Sequence, residues 1–370
     1  MKLTIVFLLI SLTAQTQLTL RGQVVSASDG QPVPFCSVFL ANTTKGTTAD
    51  EQGNFVLTNV PTGRFEVVAS SVGFDTKATP LPTDLSGPML IRLTPSANQL
   101  AELQVRANRD PAWLENLSTF RTLFVGTSQN AWQCEIINQD AIWFDDDRKA
   151  LKLTAGARAP LTIINKALGY RITYALVQFV FDYGRNYVSY VGYPVYEPLK
   201  PRNQREAKRW QRARREAYLG STLHFMRALS ARQVDEAGFE LRRVVERVDS
   251  TKTRGTWQTK KVRYLIKDKL PGTFLINQEA SSDSLTVLAF DTPIQVTYTQ
   301  EPEAVEYRQA QSPFGTNGTA AGPQTSLVSM TQPAVFVERN GNFYEPLGLV
   351  FEGYWGWEKI ADLLPLTYQP

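Results

Sequence analysis

Residues equipped for chemistry are few in this chain, and what is missing narrows the options first. A zinc hydrolase needs about three protein ligands, usually including two histidines, plus a general base. The 370 residues contain one histidine, His224. It lies in GSTLHFMRAL, flanked by Leu223, Phe225 and Met226. An imidazole in such a setting buries an apolar body and needs only one or two partners, so His224 reads as a core or boundary residue. Serine chemistry has no G-x-S-x-G elbow and no S-x-x-K pair to work with. No G-x-x-x-x-G-K-[ST] or G-x-G-x-x-G stretch exists to cradle phosphates. The two cysteines, Cys36 and Cys134, sit in apolar runs and read as small buried residues rather than exposed nucleophiles.

Carboxylates remain. A glycosidase uses two acids about 5–10 Å apart across a cleft, and separation along the chain says nothing about that distance. Asp145, Asp146 and Asp147 form the densest acidic run, between AIWF and KALKL, where a hairpin turn belongs. Asp favours turns, and calcium asks for six or more oxygens, so the turn is the better reading. The same holds for Asp50 and Glu51 in GTTADEQGNF, where Gly53 supplies a conformation that other residues resist. No cofactor or metal site is expected.

The sharpest charged feature is basic. Between Lys200 and Arg232 ten Lys/Arg face two Glu, a local balance of +8 in a chain whose net charge is +4. NQREAKRWQRARREAYLGS is rich in strong helix formers. On a helix, Arg205, Arg209 and Arg212 share one side, with Lys208 and Arg215 nearby. Trp210, Ala213 and Ala217 fall on another side and can pack inward. The pattern predicts one long helix over about 203–231. It is either a solvated face answered by neighbouring acids or a docking surface for anionic lipid headgroups, acidic glycans or a protein partner. The tyrosines of 170–196 and Trp355 with Trp357 offer sugar-stacking surfaces, but aromatics on strands are more often core.

These residues need elements to position them. MKLTIVFLLISLTAQTQ opens with Lys2 and an apolar run, Leu3 to Leu12. It reads as a secretory signal peptide over 1–17, too short to span a bilayer permanently. No later stretch is long and apolar enough to serve as a spanning helix. Residues 18–106 alternate apolar and polar positions over short runs separated by Gly, Pro, Asn and Asp. Leu20 and Val24 share a face, as do Phe55 with Leu57, Phe65 with Val67 and Ala69, and Ile91 with Leu93. In VPFCSVFL, Cys36, Val38 and Leu40 lie opposite Phe35, Ser37 and Phe39. Period two over about seven runs in roughly 90 residues predicts antiparallel strands in a β-sandwich.

The residues of this segment resemble the carboxypeptidase-like regulatory domain. They are Gly22-x-Val24, Gly30-x-Pro32-Val33-Pro34, Gly46-Thr47, Asp50-x-x-Gly53-x-Phe55, Pro61-x-Gly63-x-Phe65 and Val72-Gly73-Phe74. The resemblance implies a prealbumin-like seven-stranded sandwich and a setting in the Gram-negative cell envelope. It implies no peptidase activity, because that domain accompanies the catalytic part of the peptidase. LAELQVRA at 100–107 resembles the connector into a TonB-dependent plug, but too few residues follow for a plug and barrel.

Residues 107–370 are expected to form a larger α+β region with an antiparallel sheet and the basic helix. It has a short helix at 111–126, a long hairpin over 167–199 turning at Asp182–Asn186, and a two-residue hairpin turn at Asn340-Gly341. Strand signals also fall at TFLIN and SLTVLAFDTPIQVTY, and 311–326 reads as a loop. A last helix from about Trp357 puts Ile360, Ala361 and Leu364 on one face. This region also resembles envelope proteins without an assigned activity. The expectation is therefore a non-catalytic exported protein, periplasmic, outer-membrane-associated or secreted, that binds an envelope protein or an anionic lipid or glycan surface, and not nucleic acid. Candidate binding residues are Arg205, Lys208, Arg209, Arg212 and Arg215. Two alternatives stay open: a carboxylate-based glycan-active enzyme, and a soluble accessory to a TonB-dependent importer.

Overall fold

A computed structural model describes residues 18–96, 110–253, 256–311 and 321–370, with the side chains of 250–261 excepted. The expected signal peptide at 1–17, the connector-like stretch at 100–107 and most of the expected 311–326 loop lie outside the described residues.

The first seven strands are β1 (Leu20–Ser26), β2 (Ser37–Leu40), β3 (Gly46–Thr48), β4 (Asn54–Leu57), β5 (Glu66–Ser70), β6 (Lys77–Pro80) and β7 (Met89–Leu93). They form two sheets, ordered β4-β1-β7 and β3-β2-β5-β6. The period-two faces close the sandwich core as the sequence predicts: Cys36, Val38, Leu40, Phe55, Leu57, Val67, Ala69, Ile91 and Leu93 all pack inside it. One pairing differs from the antiparallel expectation, since β1 and β7 run parallel. The opposite face of β2 is also buried. Phe39 packs with Ala41 and Val68 against Ala175 of the next region, so the sandwich is docked there.

The second region begins with α1 (Pro111–Phe124), where the Asp110 carboxylate accepts from the Ala112 N–H at 2.8 Å. After α2 (Gln129–Trp132) come β8 (Cys134–Ile136), β9 (Ile142–Asp147), β10 (Lys152–Ala157), β11 (Leu161–Asn165), β12 (Tyr170–Asp182) and β13 (Tyr187–Pro198). Their sheet runs β8-β11-β12-β10-β9, with β13 on the other side of β12. The β12–β13 hairpin turns where the sequence places it. The acidic run does not: Asp145, Asp146 and Asp147 lie on β9, and the turn follows them. Asp147 still acts as a turn former, accepting from the N–H groups of Lys149 and Ala150.

The single long helix is two. α3 (Gln204–Tyr218) and α4 (Thr222–Ala231) break at Gly220, whose φ of 75° no continuing helix allows. The Ser221 hydroxyl then caps the second helix, accepting from the His224 N–H. β14 (Phe239–Thr253) and β15 (Thr256–Leu270) follow, then β16 (Leu285–Leu288), β17 (Ile294–Pro302), α5 (Val305–Gln311), β18 (Pro323–Met330), β19 (Val335–Glu338), β20 (Leu349–Gly353) and α6 (Tyr354–Trp357). The second sheet is ordered β15-β14-β17-β18-β20. TFLIN forms a short 3-10 turn rather than a strand. The turn at Asn340-Gly341 has three residues, not two, because the Glu338 N–H donates to Asn342 O. Only Gly341 takes a positive φ there, as a three-residue loop requires and a type I′ turn does not.

The region 110–370 thus holds two cores, one under α1 and the β8–β13 sheet and one under α4 and the second sheet. The last helix ends at Trp357. Ile360, Ala361 and Leu364 are buried as expected, but on an irregular strap with a turn at 360–362 rather than on a helix face. The strap's backbone explains the difference: Ile360 N–H and Ala361 N–H donate to Phe124 O and Val125 O instead of to their own turn. Farther on, Leu366 N–H donates to Asn42 O of the sandwich, and Arg227 Nη2 donates to Leu366 O. One terminal segment therefore packs into the α1 core and against the sandwich core, and is hydrogen-bonded to α4.

Candidate functional site

The helix α3 is seated before it presents anything. Trp210 is buried, and its Nε1 donates to Lys166 O at 2.9 Å. Beneath the ring lies Gly169, with φ of 68° and an ideal Cβ position only 2.2 Å from Trp210 Cδ2. Arg214, one turn after Trp210, also faces inward. Its Nε and Nη2 donate to Leu168 O and Gly169 O at 2.7 and 2.9 Å, and its guanidinium lies 4.0 Å from the centre of the Tyr170 ring. A planar fork satisfying two carbonyls while stacked on an aromatic is the use of Arg that Lys cannot copy.

The five candidate cations all point to solvent: Arg205, Lys208, Arg209, Arg212 and Arg215 are exposed. The acids of the helix are partly engaged. Glu206 accepts from Arg202 Nη2 at 3.0 Å and from the Arg202 N–H at 2.7 Å, and these contacts hold its carboxyl below the usual range. Arg209 adds a 3.4 Å contact to the same carboxylate, and Arg212 lies 3.8 Å from Glu216. Such exposed pairs contribute little.

The structure divides the five. Arg205 and Arg209 line a groove of about 830 Å³ along the helix with Lys208 and Arg212. Lys208, Arg212 and Arg215 also line a cleft of about 890 Å³ between α3, the β2–β3 turn of the sandwich and the terminal strap. Lys45, Arg214, Tyr170 and Tyr368 also line it, and no Asp or Glu does. Arg214 had a readable signal, since it lies four residues after Trp210 on the inward side. Lys45 had none: it is 163 positions from Lys208 in the chain and arrives only through the docking of the sandwich.

Other candidates resolve into packing. His224 Nδ1 accepts from the Gly220 N–H, and its ring packs against Tyr218, Phe239 and Tyr298. Burial, with help from Arg227, pulls its pKa down to about 4. Tyr170, Tyr174, Tyr196 and Trp355 are buried in the two cores and form no exposed stacking platform. Both thiols are free and buried, and desolvation pushes each to about 12. In the acidic turn of the sandwich, Asp50 accepts from the N–H groups of Gln52 and Asn54. Among the described residues no group of three or more His, Cys, Asp or Glu is placed to hold a metal ion.

Sequence reasoning overlooked a set of enclosed carboxyls, Glu301, Glu358 and Asp362. Burial is the main cause that raises the pKa of each, and their mutual repulsion adds to it for Glu301's neighbour Glu358. Asp362 is committed to structure, accepting from Ser128 Oγ and Asn130 Nδ2 at 2.8 and 2.9 Å. Neither cleft along α3 reaches these acids.

The two-sheet, seven-stranded N-terminal unit is a β-sandwich. It is similar to the CarboxypepD_reg-like domain, whose family model matches residues 20–105. That domain is of the regulatory-like type and not a catalytic one. No curated protein matches the chain. No helix among the described residues is long and apolar enough to cross a membrane.

Proposed function

We propose that this is an exported, non-catalytic binding or assembly protein of the cell envelope, and that α3 is its docking element for an anionic lipid surface. One observation carries the reading. A helix fixed by Trp210 and Arg214 holds five cationic side chains outward, with Glu206 and Glu216 as the only acids on it. Attraction of this kind is worth roughly 1 kcal/mol for each cation near an anionic membrane and fades with salt. The signal-peptide reading of residues 1–17 and the regulatory-like sandwich support the envelope setting.

The test is vesicle co-sedimentation. Wild type is expected to bind vesicles with phosphatidylglycerol, to ignore neutral phosphatidylcholine vesicles, and to be released by about 0.5 M salt. Arg205→Glu with Arg209→Glu removes two attractions and adds two repulsions, and is expected to weaken binding by at least about tenfold. Sedimentation equal to wild type would remove α3 as the docking element. The glycan-active alternative finds less support, because Asp362 is already bound by Ser128 and Asn130.

A further inference from the structure

The cleft behind α3 has a charge pattern that the docking reading does not use. Its wall comes from four parts of the fold, one of them β12, which supplies Tyr170. Lys45 belongs to the sandwich, Lys208, Arg212, Arg214 and Arg215 to α3, and Thr367 and Tyr368 to the strap. Two of the five cations are answered: Arg214 by backbone carbonyls and Arg212, loosely, by Glu216. Lys45, Lys208 and Arg215 pair with no acid among the described residues. Docking the sandwich on the second region therefore brings a lone ammonium towards a face that is already cationic. Like charges gathered in a cleft with low-dielectric walls repel, and they focus a field that concentrates anions. Among the described residues no Asp or Glu pairs with these three, whereas Lys166 and Lys269 each meet a Glu elsewhere on the surface.

Neutral donors stand among the charges. Thr44 and Thr367 meet across the sandwich and strap with hydroxyl oxygens 3.2 Å apart, and Tyr368 lies beside them. A volume of about 890 Å³ is far larger than a single inorganic ion needs and falls in the range of organic-ligand pockets. Arg forks and Lys point charges together suit phosphate oxygens, and hydroxyl and phenol groups suit sugar hydroxyls. Three unanswered cations ask for more than one negative charge, which a phosphomonoester near neutral pH supplies.

We propose that this cleft binds a phosphorylated saccharide, clamped between Lys45 of the sandwich and Lys208 and Arg215 of α3. The proposal goes beyond surface docking, because it needs the sandwich and a discrete ligand. The saccharide is either free or the headgroup of a lipid.

The experiment uses the full chain and calorimetric titration with fructose 1,6-bisphosphate, glucuronate and glucose as probes. The bisphosphate is expected to bind, to raise the melting temperature because it bridges two layers, and to weaken as salt rises. Glucose is expected not to bind, and glucuronate to bind at least tenfold more weakly than the bisphosphate. Lys45→Glu and Arg215→Glu are each expected to weaken the bisphosphate by tenfold or more, whereas Arg205→Glu, outside the cleft, leaves it within twofold. Lys45→Gln keeps the side-chain length without the charge and guards against misfolding, with an intermediate loss expected. Competition between the bisphosphate and phosphatidic acid vesicles would point to a lipid headgroup, and binding without competition to a free saccharide. Bisphosphate binding that ignores Lys45→Glu, or no binding at millimolar concentration, overturns the proposal. Vesicle docking that depends on Arg205 and Arg209 would survive that result, so the two readings fail separately.

Discussion

Replacing Gly169 with alanine tests how α3 is held. The residue has φ of 68°, where an L side chain costs about 1–2 kcal/mol, offset in part by about 0.4–1 kcal/mol from a stiffer unfolded chain. The new Cβ would lie 2.2 Å from Trp210 Cδ2 and 2.6 Å from both Cε2 and Cε3, so the ring must move by more than 1 Å. The ring is buried, and moving it breaks the Nε1 bond to Lys166 O, about 1 kcal/mol, together with part of the packing that a Trp→Ala change loses, about 3–5 kcal/mol. The expected loss is about 3 kcal/mol. By the tenfold-per-1.36 kcal/mol rule, that raises local opening of α3 about 150-fold. Hydrogen exchange of the α3 amides reads this directly, and urea melts by circular dichroism read the global share. Gly87→Ala is the control, since nothing lies within 4 Å of its Cβ position. Gly169→Ala in a Trp210→Leu background is expected to cost clearly less than the two changes summed, because the smaller side chain makes room. A change below about 0.5 kcal/mol, or an additive pair, would refute the seating of α3 on Gly169.

Three further outcomes are expected. His224 has a folded-state pKa of about 4 against an ordinary 6.5, so the unfolded chain takes the proton first as pH falls. Its stabilising effect is present above pH 6.5 and lost towards pH 4. Urea melts of His224→Gln should therefore show a smaller decline over that window than wild type. Glu358 titrates in the opposite sense, since burial together with Asp362 and Glu301 raises its pKa. Stability is lost as pH rises from the unfolded value through the folded one, so Glu358→Gln should raise the urea midpoint at pH 7 and not at pH 4. Finally, β14 pairs with β17 only over Phe239–Arg243, and beyond that with β15 alone, leaving Val248 63% exposed. A two-stranded ribbon is marginal in water, so amides of 245–249 should exchange at least about 100-fold faster than those of 240–243. Equal protection would show that the ribbon is covered in solution.

By itself the sequence determined what depends on nearest neighbours. Period two in the first domain reports which side chains face inward, because a strand alternates faces whatever it packs on; Cys36, Val38 and Leu40 are inside for that reason. The cations of α3 were legible because helical spacing, together with Trp210, leaves them one side only. Where tertiary contacts compete with local preference, local reading failed. Gly220, whose carbonyl accepts from Trp355 Nε1, broke a helix that composition would continue, and Ile360 and Ala361 gave their N–H groups to Phe124 and Val125 instead of continuing the last helix. The cleft lies at the far end of this scale. Lys45, Arg215 and Tyr368 come from three separate segments and meet only because Phe39 buries itself against Ala175 and Leu366 closes on Asn42. Local pattern carries no information on which distant surfaces exclude water from each other, so that site belongs to the tertiary structure alone.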